Sequence, residues 1–550
     1  MAAFRPVRGV EQDIPLVEPE NDGAHPGRRD PEIVQNMLRR AVVLHRKGNL
    51  DDAKSLYLEV LRINPDHFDA LHLLGVIAAR TRRHEEAERL FMRAISINSE
   101  FAEAHYNRAV ALKDLKRLDD ALASYDRAIA LKPDYAEAHN SRGNALKALG
   151  RLDEALASHA RAIELKPDYA EAFNNQGNAL KALGRPGDAL SSYERSIALG
   201  PDNADAHNNR GSALKDLGRA EEAVQAYDRA IALKPDNAEI FYNRGNALLD
   251  LKRLDAALAS YDRAIALKAG HAKAHANSGG LLVEMKRLDD ALASYDRAIA
   301  SSDDHAGAYF NKSMALLLGG NFHEGWKLYE WRKRVKEPSG ARTFGKPLWL
   351  GESDISGKTI LVHWEQGLGD TIQFCRYVQL LDEAGARVLF APQKSLRGLM
   401  KGLAAPCEIV DENDASLAFD FHAPLPSLPL AFRTTASTIP RNIPYLAAND
   451  ELVRKWKAII GHDGFRIGVL WRGSDKGAEL GRSFQLSDLR PVASLPNVRI
   501  VSLQKHSGLG ELENWISMSV SAPSAPVEKP PVGPPVPSVN VTRTEPDAPR

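Results

Sequence analysis

Cysteine is nearly absent from this chain. Cys375 and Cys407 are the two in 550 residues, and neither stands in a metal-ligand spacing. A disulfide framework and a zinc site are therefore set aside, no metal is expected, and a reducing, cytoplasmic compartment fits. Long apolar runs are missing too, since no stretch approaches the roughly 18 residues of a membrane span. The first 30 residues carry Glu11, Asp13, Glu18, Glu20 and Asp22 with no apolar stretch, unlike a secretory leader. Net charge is also absent: 72 Lys and Arg balance 72 Asp and Glu, which removes bulk charge as a reason to bind nucleic acid or an anionic membrane. Tryptophan is missing from the first 325 residues, whereas all seven, Trp326 to Trp515, follow. A chain of this length exceeds one ordinary domain, and the tryptophan boundary says where its character changes.

What is present before that boundary is a repeat. "LKPDYAEA" at 131–138 returns at 165–172, and Pro65, Pro133, Pro167, Pro201 and Pro235 fit one 34-residue register. With the unit taken as Ala102 to Tyr135, eight units run from about 34 to 305 and a degraded ninth continues to about 337. The eighth position is small in every unit (Gly75, Ala109, Gly143, Gly177, Gly211, Gly245, Gly279), and so is the twentieth (Ala87, Ala121, Ala155, Ala189, Ala223, Ala257, Ala291). An aromatic recurs between them and the next proline, as in Tyr125, Tyr193, Tyr227 and Tyr261, with His159 the exception. Two amphipathic helices per unit are predicted, joined by a turn such as "LKRLD". Asp134 with Glu137, and Asp168 with Glu171, have capping-box spacing and are expected to start the first helix of a unit.

These residues resemble the tetratricopeptide repeat (TPR). The resemblance implies an all-α superhelix of stacked helix pairs whose first helices line a groove for extended polypeptides. The sixth position of the unit reads Asn107, Ser141, Asn175, Asn209, Asn243, Asn277 and Asn311, and the twelfth reads Lys113, Lys147, Lys181 and Lys215. The asparagine column is similar to the ladder with which TPR-bearing protein O-GlcNAc transferases hold a peptide backbone. A side-chain amide has the donors and acceptor for that task; the other reading is duplication of near-identical units that bind nothing. A histidine column, His105, His139, His207 and His275, has its members one unit apart, roughly 8 to 10 Å if helices pack normally. That is too far for two to share an ion, so packing is expected of it.

After residue 338 the pattern becomes strand ("KTILVHW"), glycine turn ("EQGLGD"), helix ("TIQFCRYVQLLDEAG"), strand ("ARVLFAP"), helix ("KSLRGLMKGL") and strand ("CEIVD"). That alternation predicts a parallel α/β sheet. Together with "EGWKLYEWR", "PLWLGE", "SLPLAF", "IPYL" and "RSFQLSDLRPVASLPNVRIVSLQK" it resembles bacterial proteins in which TPRs precede a GT-B glycosyltransferase domain related to heptosyltransferases. The resemblance implies that Asp370 is the general base of an inverting transfer. It also implies that Gly367 and Gly369 let a phosphate or acceptor approach the backbone, and that Arg472, Ser474, Lys476, Arg482 and Ser483 meet a nucleotide-sugar diphosphate. Asp370 with Gln373 also has the spacing of a helix cap, which alone would account for both.

The expected organisation is a disordered segment over 1–33, a TPR array over 34–337, an acceptor-side Rossmann-like half over 338–463, a partial donor-side half over 464–514 and a disordered Pro-rich tail over 515–550. The last 30 residues hold nine prolines. The expected function is a protein-interaction array fused to a glycosyltransferase-like domain impaired by a short donor half. The alternative is an active transferase that takes a nucleotide-sugar as co-substrate. No other cofactor is expected.

Overall fold

The structure, a computed structural model, describes residues 31–302, 305–335, 344–414, 416–441, 443–461, 464–469, 485–493, 495 and 497–502. The chain divides into two compact units, Met1–Ala341 and Arg342–Arg550.

In the first unit the described residues form nine helix pairs, from Pro31–Arg46 with Leu50–Ile63 to Ala306–Leu318 with Phe322–Tyr329, followed by a short helix, Arg332–Val335. The ninth pair, read from the sequence as degraded, keeps a full first helix and an eight-residue second one. Packing explains the small residues. Every twentieth-position alanine from Ala87 to Ala291 is fully buried. A Cβ added at Gly177 would stand 2.5 Å from the Tyr193 ring, and one at Gly211 would stand 2.8 Å from Tyr227. The aromatic of the second helix therefore rests on the bare backbone of the first, which fixes the spacing of each pair.

The turn inside each pair needs one residue in the left-handed region. Gly150, Gly184 and Gly218 supply it with φ between 73° and 77°, whereas Lys116, Lys252 and Lys286 adopt φ of 58° to 65° without glycine's freedom. At Lys116 two bonds close the helix end: Arg117 N–H to the Leu112 carbonyl at 2.9 Å and Lys116 N–H to that of Lys113 at 3.0 Å.

The expected capping boxes do not form. Helices Ala136–Ala148 and Ala170–Ala182 begin one residue later than the boxes require, with Tyr135 and Tyr169 at the cap positions and no side-chain cap bond. Asp134 and Asp168 lie in the preceding turn, where the Asp134 carbonyl accepts the Ala136 N–H at 3.0 Å. True side-chain caps in the array come from His67, Asn203, Asn237, His271, His305 and Asn321. The histidine column is a set of staples: Nε2 of His105, His139, His207 and His275 reaches the carbonyl six residues earlier, at 2.9 to 3.1 Å.

The second unit holds β1 (Thr359–His363), β2 (Arg387–Ala391), β3 (Glu408–Ile409) and β4 (Phe421–Pro424) in one parallel sheet of order β3-β2-β1-β4. β1 and β2 bury Ile360, Leu361, Val362, Leu389 and Phe390 almost completely. The helix predicted as one run after the glycine turn is three pieces, Leu368–Phe374, a 3-10 turn Cys375–Tyr377, and Val378–Glu383. Cys375 is fully buried, and that burial pushes its thiol up to about 12. A separate parallel pair joins β5 (Phe465–Val469) to β6 (Val498–Ser502). Among the described residues no helix is long and apolar enough to cross a membrane.

Candidate functional site

The sixth-position asparagines lie where the first helices of neighbouring units meet, and their amides bond across that joint. Nδ2 of Asn175 donates to Oδ1 of Asn140 at 3.1 Å, Asn209 to Asn174 at 3.0 Å and Asn243 to Asn208 at 3.1 Å. Asn277 donates to Oδ1 of Asn246 at 2.8 Å and to the Tyr242 hydroxyl at 3.3 Å. Asn175, Asn209, Asn243 and Asn277, which the sequence assigned to a ligand, are thus each also engaged in holding units together. Asn107 departs further: it is 2% exposed, with its amide 3.0 Å from Nε2 of His72, and it belongs to the core of a joint instead of the groove. Asn311, in the last unit, is exposed.

The remaining amides keep capacity. Asn175, Asn209, Asn243 and Asn277 are half-buried, and among the described residues no donor reaches Oδ1 of Asn175, Asn243 or Asn277. Each such side chain has an acceptor and a second N–H left over, held in one orientation by the bond to the preceding unit.

The lysines, all half-buried, extend the same surface. Lys181 pairs with Asp216 of the next unit at 3.5 Å and touches the Ser212 hydroxyl, and Lys215 pairs with Asp250 at 3.6 Å. Lys113 finds its own neighbour Asp114 at 3.8 Å. Lys147 has no carboxylate within the 4.0 Å of an ion pair among the described residues.

Sequence reasoning passed over the fifth position, Asn140, Asn174 and Asn208, and the ninth, Asn144, Asn178 and Asn246. Both recur in the same 34-residue register, which was the available signal. The ninth residue is tied to the buried aromatic of its own unit: the Tyr193 hydroxyl donates to Asn178 at 2.9 Å and that of Tyr261 to Asn246 at 2.8 Å. In the fourth unit His159 replaces the tyrosine and donates from Nδ1 to Asn140 at 3.1 Å instead.

In the second unit, the glycine turn follows the carboxyl end of β1. Gly367 stands at the cap position of helix Leu368–Phe374, and its N–H donates to Oδ2 of Asp370 at 3.0 Å. Asp370 therefore sits in the first helical turn and reaches back, so the cap pairing with Gln373 is not made. Gln393, after β2, donates to the carbonyls of Gln366 and Gly367 at 3.1 and 3.3 Å and ties the turn to the neighbouring strand end. His363 and His422, at β1 and β4, approach to 3.3 Å, and the Phe344 ring lies 4.8 Å from each. Arg472, Ser474, Lys476, Arg482 and Ser483 lie outside the described residues, as do residues 1–30 of the expected segment 1–33 and the expected segment 515–550; residues 31–33 of the former belong to the helix Pro31–Arg46.

Comparison with known proteins bears on the array. Models described as TPR repeat match residues 111–150, 143–184, 177–218 and 211–252, and models described as tetratricopeptide repeat match 33–100, 238–271 and 279–329. Protein FlbA of Caulobacter vibrioides is 27% identical over 216 residues, 35% of this chain and 36% of that protein, so the match spans about a third of that relative's length. Among solved structures, YrrB, described as a TPR protein with an unusual peptide-binding site, is 26% identical with a TM-score of 0.30, covering 34% of this chain and 97% of that one. Pseudomonas aeruginosa pilF is 22% identical with a TM-score of 0.34, covering 38% and 94%. The family models together span just over half of the chain and coincide with the helix pairs described above, and the chain belongs to the tetratricopeptide repeat proteins.

Proposed function

We propose that the first-helix surface of the array binds an extended polypeptide through its main chain. The observation that carries this is the set of half-exposed acceptors on Asn175, Asn243 and Asn277, each fixed in place by a cross-unit bond and each without a donor among the described residues. Units packed roughly 8 to 10 Å apart meet an extended chain, which rises about 3.3 Å per residue, once in every three or so residues. Such contacts are worth about 0.5 to 1.5 kcal/mol each and read no side chains, which suits an array that accepts many sequences. Replacing Asn175, Asn209 and Asn243 by Ala should weaken peptides selected on the immobilised array by about 1.5 to 4.5 kcal/mol. The same change should lower the urea midpoint, because three joints lose a bond. Undiminished affinity in a variant of native helicity would refute the groove.

A second reading concerns the other unit. We propose that it is the acceptor-side part of a glycosyltransferase, with Asp370 as general base and Gly367 and Gly369 giving a nucleotide-sugar or its acceptor close access to the backbone. It is supported by the place of this turn at the carboxyl end of β1, beside β4, where the strand order reverses and parallel sheets receive ligands. Calorimetric titration with UDP-, ADP- and GDP-sugars, with turnover assayed on cell extract, tests it. Asp370→Asn keeps an oxygen for the Gly367 N–H but not a base, so turnover should fall by about 100-fold or more at undiminished sugar-nucleotide affinity. Turnover that survives in Asp370→Asn, or is absent from the native chain, would overturn this reading.

A further inference from the structure

The fourth unit departs from its neighbours in two ways that converge on one spot of the first-helix surface. Position thirteen of the unit that follows it is Ala182, where the corresponding residues facing Lys181 and Lys215 are Asp216 and Asp250. Lys147 is thereby left without the carboxylate that its counterparts have. His159 stands where other units place a tyrosine, and it bonds Asn140, so no hydrogen bond reaches Asn144 among the described residues. The equivalent Asn178 and Asn246 are both held by tyrosine hydroxyls. Asn144 and Lys147 are three residues apart on helix Ala136–Ala148, hence on one face, and both are half-buried. An ammonium and an amide with no partner among the described residues, beside an alanine that leaves room, match a carboxylate in charge and in donor count.

We infer that Asn144 and Lys147 form a subsite for an acidic side chain, so that the groove prefers a peptide with Glu or Asp at the residue crossing the fourth unit. The inference rests on the groove reading above and adds selectivity to it. Elsewhere the surface is neutralised from within: where Asp216 and Asp250 occupy the lysines, a bound carboxylate would meet a pair already formed. The array thus reads charge at one place and backbone along the rest.

The probes are two fluorescein-labelled peptides on one Ser/Ala background, one with a central Glu-Glu-Glu and the other with Gln-Gln-Gln, followed by anisotropy. The native chain should bind the Glu peptide about fivefold tighter, the range of a solvent-accessible ion pair. Ala182→Asp installs the internal carboxylate that the next two units use and leaves Lys147 in place; it should erase the preference and leave affinity for the Gln peptide as it was. Lys147→Gln should erase the preference as well, and native helical circular dichroism of both variants confirms their fold. Equal binding of both peptides to the native chain, or a preference that survives Ala182→Asp, would overturn the subsite and leave the groove intact. Binding of neither peptide to the native chain would overturn groove and subsite together.

Discussion

Acidification from about pH 6.5 toward pH 4 should strip stability from the array. His45, His72 and His159 are buried, with 7%, 1% and 0% of their surface exposed. Burial holds each imidazole down at about 4, helped by the charge of Arg80 at His45 and of Lys147 at His159. In the unfolded chain they titrate near 6.5. Above 6.5 both states are neutral and the three contribute no pH dependence. Between 6.5 and 4 the unfolded chain takes up protons that the folded one refuses, so each histidine lowers stability by about 1.4 kcal/mol per pH unit, and the loss levels off below 4. Urea unfolding followed by helical circular dichroism, repeated from about pH 7 to about pH 4.5, measures the slope. His159→Tyr, which restores the residue of the other units, should make it shallower by about one histidine's share. A midpoint independent of pH across that window would contradict the assignment.

Tyr227→Ala should be the most damaging single change in the array. Its ring is 1% exposed and lies against the backbone of Gly211, where an added Cβ would stand 2.8 Å away. It belongs to a buried cluster that runs from Leu180 to Leu281, so its removal opens a cavity that a regular helix pair cannot collapse to fill. The cost expected for such a truncation is about 3 to 5 kcal/mol. In a nearest-neighbour array that loss falls on one unit and its two joints, so unfolding should separate into two steps instead of simply moving to lower urea. Hydrogen exchange would show where: amides of the units around 204–267 should open ahead of the rest. Tyr227→Phe, which keeps the ring, should remain a single transition. A native-like single transition for the alanine variant would show that the array does not divide its stability by unit.

Much of the array could be read from spacing because its determinants lie inside one unit. The alanine and glycine columns and the aromatic that meets them recur at fixed offsets, and their contacts follow from two helices packing face to face. The asparagine ladder was visible as a column, yet its partners were not. Asn175, Asn209 and Asn243 each bond a residue 35 positions earlier, one more than the repeat, and that offset is set by how units stack. The failed caps have a local cause: the turn after each proline takes one residue more than the Asp-to-Glu spacing implies, so Asp134 and Asp168 fall short of the helix. In the second unit β1, β2 and β3 followed from apolar runs, whereas β4 did not. Its four residues, Phe421–Pro424, include His422 and end in proline, and they pair with β1 only because the sheet brings them there. The glycine turn was recognisable, but only the structure shows Asp370 reaching back to Gly367 and Gln393 bracing the turn from the next strand.

The cross-unit bonds of the sixth-position asparagines run one way. Among the described residues Asn175, Asn209, Asn243 and Asn277 each donate toward the unit before, whereas the fifth-position Asn140 also donates forward to Glu171 at 3.4 Å. The stack is therefore vectorial, with a head and a tail that differ even where the units are near copies. A polypeptide lying along it meets acceptors fixed with a common polarity, and its own N–H groups and carbonyls alternate with a polarity that inverts when the chain is reversed. On the proposed groove reading, the two directions of threading are then distinct states of unequal energy, and main-chain contacts by themselves favour one orientation of the ligand.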